Sequence, residues 1–156
     1  MSDPVYCIDS SALVGPFRYR YRHTVFQGLW RKVHDLVLEG RLIAPDEVFK
    51  ELLKQEDELT VWARQHESMF IKPTQFHSTL VSEIGLKFPA LYTQPTSSNE
   101  ADPWVVALAR DRNCPVVTHE GDGSEKNPKI PYISQHYKIK KMGFLDVVFA
   151  EGWVFP

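Results

Sequence analysis

Four acidic positions of the chain lie at comparable places, each beside the end of an apolar run or the start of a helical pattern. Asp9 follows Val5, Tyr6, Cys7 and Ile8 and precedes two serines. At the carboxyl end of a strand in an open α/β sheet, such a side chain points into the crevice where these folds bind ligands. The plainer reading of this stretch alone is a helix cap. In "APDEVFKELL", Glu47 and Glu51 compete. At about 100° per residue the apolar arc runs from Val48 to Leu53, leaving Glu51 roughly 60° and Glu47 roughly 100° from its edge. Glu51 is therefore the acid expected half-buried at a cleft, against the plainer reading of a solvated face beside Lys50 and Lys54. Asp102 in "NEADPWVVALA" has a strong structural reading, because aspartate followed by proline is a standard helix start. After "PVVT", Glu120 and Asp122 compete, and polar residues in a turn need no function.

Together, "YCIDSSAL", "APDEVFKEL", "ADPWVVALA" and "VVTHE" resemble the PIN domain family in order and spacing. The resemblance is closest to a bacterial PIN-like subgroup related to VapC-type toxins, and to DUF4411; it spans essentially the whole chain, including "FQGLW" and the terminal "EGWVF". It implies an α/β fold: a single PIN-like domain over residues 1–156, with an open parallel sheet, helices on both faces and acids gathered at one end. Carried over residue by residue, the site acids are Asp9, Glu51, Asp102 and Glu120. The family's last acid is usually aspartate, so Glu120 departs from the pattern and Asp122 is its substitute, as Glu47 is for Glu51.

The implied chemistry follows from charge. Two carboxylates about 4 Å apart repel by roughly 4 kcal/mol at an effective dielectric near 20. Three or four in one cleft thus need a counter-ion or shared protons. Oxygen ligands without imidazole or thiolate suit Mg²⁺ or Mn²⁺, whose bound water can lose a proton and attack phosphorus. The resemblance implies a metal-dependent endoribonuclease: Asp9, Asp102 and Glu120 hold the metal, Glu51 completes the cage or orients water, and Ser10 or Thr118 hydrogen-bonds the ligands. It also implies the toxin of a toxin–antitoxin pair, with an antitoxin protein as partner and a homodimer possible. The alternatives are a catalytically silent PIN-like module that binds RNA or protein, and a housekeeping RNA-processing nuclease.

Other chemistry finds less support. The six histidines form no HxxxH or HExxH pair and there is no CxxC, which argues against zinc. His119 reads as a polar loop residue beside Thr118. Ser10 and Ser11 lack a GxSxG context, and no phosphate-binding glycine motif is present. If "FRYRYRH" is extended, Arg18, Arg20 and Arg22 face one side and Tyr19 and Tyr21 the other, pairing phosphate-seeking cations with rings that stack on bases. A solvated loop or partner surface explains it equally. "KIKK" reads as a solvated turn, and Trp30, Trp62, Phe76 and Phe88 are candidates for partner anchors, although most such aromatics belong to a core.

The elements that must position these residues are legible as alternation. Strands are expected at "VYCI", "RLIAP", "CPVVT", "IPYI" and "WVF". Helices are expected at "TVFQGLWRKVHDLVLEG", where Val25, Leu29, Val33, Leu36 and Val37 recur at helical spacing, and at "PDEVFKELLKQ", which Pro45 opens. Further helices are expected at "DELTVWARQH", "PTQFHSTLVSEIGLKF", "ADPWVVALARDRN" and "FLDVVFAEG", with a loop at "PALYTQPTSSN". A formal charge of -2 excludes a uniformly basic nucleic-acid coat. Cys7 and Cys114 beside apolar runs suit a reducing cytoplasm, and no run approaches the ~20 apolar residues of a membrane span.

Overall fold

The computed structural model describes residues 3–93 and 100–156. Five parallel strands form its sheet: β1 (Tyr6–Ile8), β2 (Leu42–Pro45), β3 (Phe70–Ile71), β4 (Val116–Val117) and β5 (Lys141–Met142), in the order β3-β2-β1-β4-β5. The register sets Tyr6 opposite Leu42 and Ile8 opposite Val117. β1 and β2 are buried along their whole length, as strands with both faces covered must be. The chain leaves β1 outward through β2 to β3 and returns to the other side of β1 as β4 and β5. Strand order therefore reverses between β1 and β4, the place where sheets of this kind open a crevice at their carboxyl ends.

Helices flank the sheet: α1 (Ser11–Gly15), α2 (Gln27–Leu38), α3 (Asp46–Leu53), α4 (Glu58–Gln65), α5 (Gln75–Lys87), α6 (Ala90–Thr93), α7 (Asp102–Arg112), α8 (Ile130–His136) and α9 (Phe144–Glu151). On α2, Leu29, Trp30, Val33, Leu36 and Val37 are buried as the periodicity requires, whereas Val25 lies in the turn before the helix and is exposed. α7 is enclosed on more than one side, with Val105, Val106, Ala107, Leu108 and Ala109 all buried, and it packs on α5, α8 and β1. That burial holds its first residue, Asp102, at the crevice.

Several expectations fail for identifiable reasons. "IPYI" is the first turn of α8, opened by Pro131 in the first helical positions, where its missing N–H costs nothing. "WVF" forms no strand. The turn expected at "KIKK" ends in β5, because Val116 and Val117 offer their free edge to Lys141 and Met142. Pro45 closes β2 and flanks α3 rather than opening it. "PALYT" contains α6, and positions 94–99 of the expected loop lie outside the described residues. "FRYRYRH" is not extended: Pro16–Arg20 continue α1 as a π-helical turn, so Arg18, Arg20 and Arg22 do not share one side. Trp30, Trp62 and Phe88 are buried and only Phe76 of the four candidate anchors is exposed. No helix among the described residues is long and apolar enough to cross a membrane.

Candidate functional site

Backbone ladders bring the first and fourth motifs together. The Asp9 N–H donates to the Val117 carbonyl at 2.9 Å and the Thr118 N–H to that of Met142 at 3.0 Å, so Asp9 and Thr118 emerge side by side where β1 and β4 end. The side chains then interlock. Ser11 Oγ donates to Asp9 Oδ2 at 2.7 Å and Thr118 Oγ1 to the same oxygen at 3.2 Å. The His119 N–H donates to Ser11 Oγ at 2.9 Å, and the Glu120 N–H to Thr118 Oγ1 at 3.1 Å. Asp9 is thus a buried carboxylate held by hydroxyls; its contact with the Ser11 N–H, at 3.4 Å, is long for a cap.

The other two motifs close the cluster. Ser10 Oγ donates to Glu51 Oε2 at 2.7 Å, tying α3 to the start of α1. Asp102 caps nothing, since Ala101 is the capping residue and Asp102 the first of α7. Its side chain is 2% exposed and hydrogen-bonds Glu120. Glu120 Oε1 in turn accepts from the Ile130 N–H at 3.4 Å. The loop between them folds on itself through a bridge from Gly123 to Pro128. Gly123 has φ +77°, and a Cβ there would stand 2.7 Å from the Lys129 nitrogen.

Electrostatics distinguish this cluster from ordinary surface acids. Burial, opposed by the Ser11 hydrogen bond, pushes the Asp9 carboxyl up, and burial with the nearby Asp9 charge does the same at Glu51. Burial, then the charges of Glu120 and Asp9, push Asp102 up to about 10. Burial and the Asp9 charge push Glu120 up to about 7. Desolvation and crowding of like charges both favour the protonated forms here. Asp102 and Glu120 therefore keep a proton between them near neutral pH.

Asp122, the substitute for Glu120, stands apart: it is exposed and paired with Lys141 Nζ at 2.9 Å, which holds its carboxyl down. Glu47 is half-buried with one orphaned oxygen, Oε2, but it is Glu51 whose charge is felt at Asp102. Ser11 joins Ser10 and Thr118 as a supporting hydroxyl, and its only sequence signal was its place beside Asp9. Of the basic and aromatic set, Arg18 pairs with Asp57 at 2.6 Å and the Tyr21 ring packs against Phe26 and Phe144. Tyr19, Arg20 and Arg22 are exposed. His119 is more than a loop residue: its Nε2 accepts the Phe144 N–H at 3.1 Å, and burial and Arg20 hold its pKa down.

Whether such a set suits a divalent cation can be tested on its donors. All are carboxylate oxygens, and Glu51 Oε1 and Asp102 Oδ2 are buried without a hydrogen-bond partner, which is costly unless something else binds them. The donors fit a hard cation in kind. As the side chains stand, with Glu51 bonded to Ser10 and Asp102 to Glu120, no group of three His, Cys, Asp or Glu among the described residues has a ready-made ligand arrangement.

The crystal structure of FitAcB from Neisseria gonorrhoeae is similar in fold, with a TM-score of 0.50 over 88% of this chain and 96% of that one, at 12% identity. The likeness is one of fold. No curated protein matches the sequence. A family model described as a domain of unknown function, DUF4411, matches residues 6–155, and the chain belongs to that family.

Proposed function

We propose that the protein is a metal-dependent ribonuclease that hydrolyses RNA phosphodiester bonds, acting as the VapC-like toxin of a toxin–antitoxin pair and held in check by an antitoxin protein. The observation that carries this reading is the meeting of Asp9, Glu51, Asp102 and Glu120 at the strand-order reversal, with two buried oxygens orphaned. The PIN-like fold, shared with FitAcB, supports it.

Asp9, Asp102 and Glu120 would hold Mg²⁺ or Mn²⁺, with Glu51 completing the set. When bound, the ion would supply Lewis-acid stabilisation of phosphate charge and an acidified water. The chain's own residues do the positioning. Ser11 and Thr118 fix one oxygen of Asp9, and Ser10 turns Glu51 so that Oε2 is engaged and Oε1 is free. A proton between Asp102 and Glu120 offsets their repulsion, and these two carboxylates would have to give it up to hold a cation.

Asp9→Asn tests the reading. Removing one ligand charge should lower Mn²⁺-dependent cleavage of single-stranded RNA at least about 100-fold, more than the loss of a supporting shell, with circular dichroism unchanged. Equal cleavage by the variant and the parent would defeat it. A catalytically silent binding module, the second reading, is favoured by the carboxylates being bonded to a hydroxyl and to each other; it predicts no cleavage by either protein with any divalent ion.

A further inference from the structure

Half of the exposed large apolar side chains among the described residues, Val25, Phe26, Leu145, Phe149, Val154 and Phe155, fall on two chain segments that meet where α9 packs beside the start of α2. The Tyr21 ring packs against both Phe26 and Phe144 and shares with Leu145 the wall of a recess of about 140 Å³ at the start of α9. Phe149 stands one turn beyond Leu145 on the same edge of that helix. The Phe155 ring lies over Gly28 of α2, where an added Cβ would meet it at 3.5 Å. At roughly 150–250 Å² for each aromatic side chain, the exposed parts of Phe26, Phe149 and Phe155 alone come to about 250–400 Å². With the aliphatic neighbours added, that is the size at which an apolar patch on a protein surface marks an interaction site.

The border of this face is cationic. Arg20 lines the recess, and Arg31 and Lys32, three and four residues on from Gly28, rise beside Phe155 one turn along α2. All three are exposed, and none forms an ion pair among the described residues. One exposed acid, Asp146, stands at the recess, and its Oδ2 accepts the Gly143 N–H at 2.7 Å. Asp35 lies two turns from Gly28. On a chain of formal charge -2, the border is a local excess of positive charge.

That charge decides among the occupants an apolar face could take. A second copy laid face to face would set cations against cations, an arrangement that costs association. A bilayer offers no protruding group to fill a recess, and three cations fall short of the clusters of four to eight that hold anionic lipid. An amphipathic helix meets both features at once: an apolar stripe for the phenylalanines and acidic flanks for the border.

We propose that this face docks an amphipathic helix of a partner protein, with an aliphatic anchor side chain between Tyr21, Phe144 and Leu145 and with carboxylates turned toward Arg20, Arg31 and Lys32. The inference goes beyond the nuclease reading and does not depend on it.

Two fluorescein-labelled peptides of about 18 residues, long enough to hold a helix, test it by anisotropy in the absence of metal and RNA. Both carry leucines at i, i+3, i+4 and i+7, one with glutamates on the flanks and the other with lysines. The glutamate peptide should bind saturably and at least tenfold more tightly than the lysine peptide, and its affinity should fall as salt rises. Phe149→Ser, at a side chain 79% exposed, should weaken it about tenfold with circular dichroism unchanged. Arg31→Glu combined with Lys32→Glu should reverse the preference between the two peptides. Leu38→Ser, at an equally bare leucine on the far end of α2, should change affinity less than twofold.

Absence of saturable binding, equal binding of both peptides, or an equal loss in Leu38→Ser would each overturn the docking face. Sedimentation should find a monomer, and a dimer that Phe149→Ser dissociates would give the face to a second copy instead. Flotation with phosphatidylserine vesicles should find no protein bound, and binding that Phe149→Ser abolishes would give it to a membrane. Either result would defeat the proposal and leave Mn²⁺-dependent cleavage to be judged separately.

Discussion

The two ends of the sheet treat charge in opposite ways. At the amino end, Arg41 just before β2 and Tyr6 at the start of β1 both donate to Glu151 of α9. Nearby, His77 meets Asp111 at 2.8 Å and the Tyr137 hydroxyl donates to Glu83 at 2.9 Å, with Arg110 over the Tyr137 ring. Acids there have a partner that welcomes their charge. At the carboxyl end, four acids have hydroxyls, amides and one another, and two of their oxygens have nothing. The contrast separates charge matched within the fold from charge left unmatched: one end is complete, and under the proposed function the other would take its counter-ion from outside.

Breaking the complete end should have the largest effect. Glu151→Gln leaves Arg41, whose side chain is 13% exposed, with only the carboxylate of Glu39, at 3.2 Å, and should lower unfolding free energy by about 2 kcal/mol, as loss of a charged hydrogen-bond partner does; urea denaturation measures it. The acid end should respond to pH with a definite sign. An acid whose folded-state pKa lies above its unfolded value leaves the native state holding more protons between the two, so stability falls as pH rises through that window. For Glu120 the window runs from 4.5 to about 7 and for Asp102 from 3.8 to about 10. The metal-free protein should therefore melt at a lower temperature at pH 8 than at pH 5.5, and a flat profile would contradict the proton held by this pair.

Glu120→Gln should reverse the sign seen at Glu151. It removes a charge yet keeps an oxygen for the Ile130 N–H, so Tm at pH 8 should rise by about 2–4 °C, the change that roughly 1 kcal/mol makes in a domain of this size, and the pH dependence should flatten. Smallest of all, Mn²⁺ at a few multiples of its Kd should raise Tm at pH 8 by about a degree or two through mass action. Asp9→Asn should remove that rise, whereas an equal rise in the variant would place the ion elsewhere.

Much of this arrangement could be read from residue order alone, and the reasons differ by element. β1, β2 and β4 are unbroken apolar runs, α2 has strong periodicity, α4 has a capping box, and α7 has a proline in its first turn. β3 and β5 are two-residue strands whose existence depends on the edges that Ala44 and Val116 offer them, information no local window contains. α8 was hidden because a four-residue apolar run reads the same in either state, and only Pro131 at its start leaned toward helix. At the site, Asp9, Asp102, Glu51 and Glu120 came from their places beside strand and helix ends together with a family resemblance. Ser11 and His119 were illegible because their roles are fixed by partners about 110 positions and 25 positions away. The reading of Asp102 as a helix cap failed for a related reason: capping needs only the next turn, but its actual partner, Glu120, arrives through tertiary packing.

Gly123 gives the loop after Glu120 a dependence that no inventory of acids would reveal. With its positive φ and the Lys129 nitrogen where a Cβ would go, any side chain must push apart the strand of backbone that delivers the Ile130 amide to Glu120. Random mutagenesis scored by growth or cleavage should therefore mark position 123 as intolerant alongside the carboxylates, although glycine has no group with which to do chemistry. For anyone redesigning this protein, the least conspicuous residue of the loop is the one to leave alone.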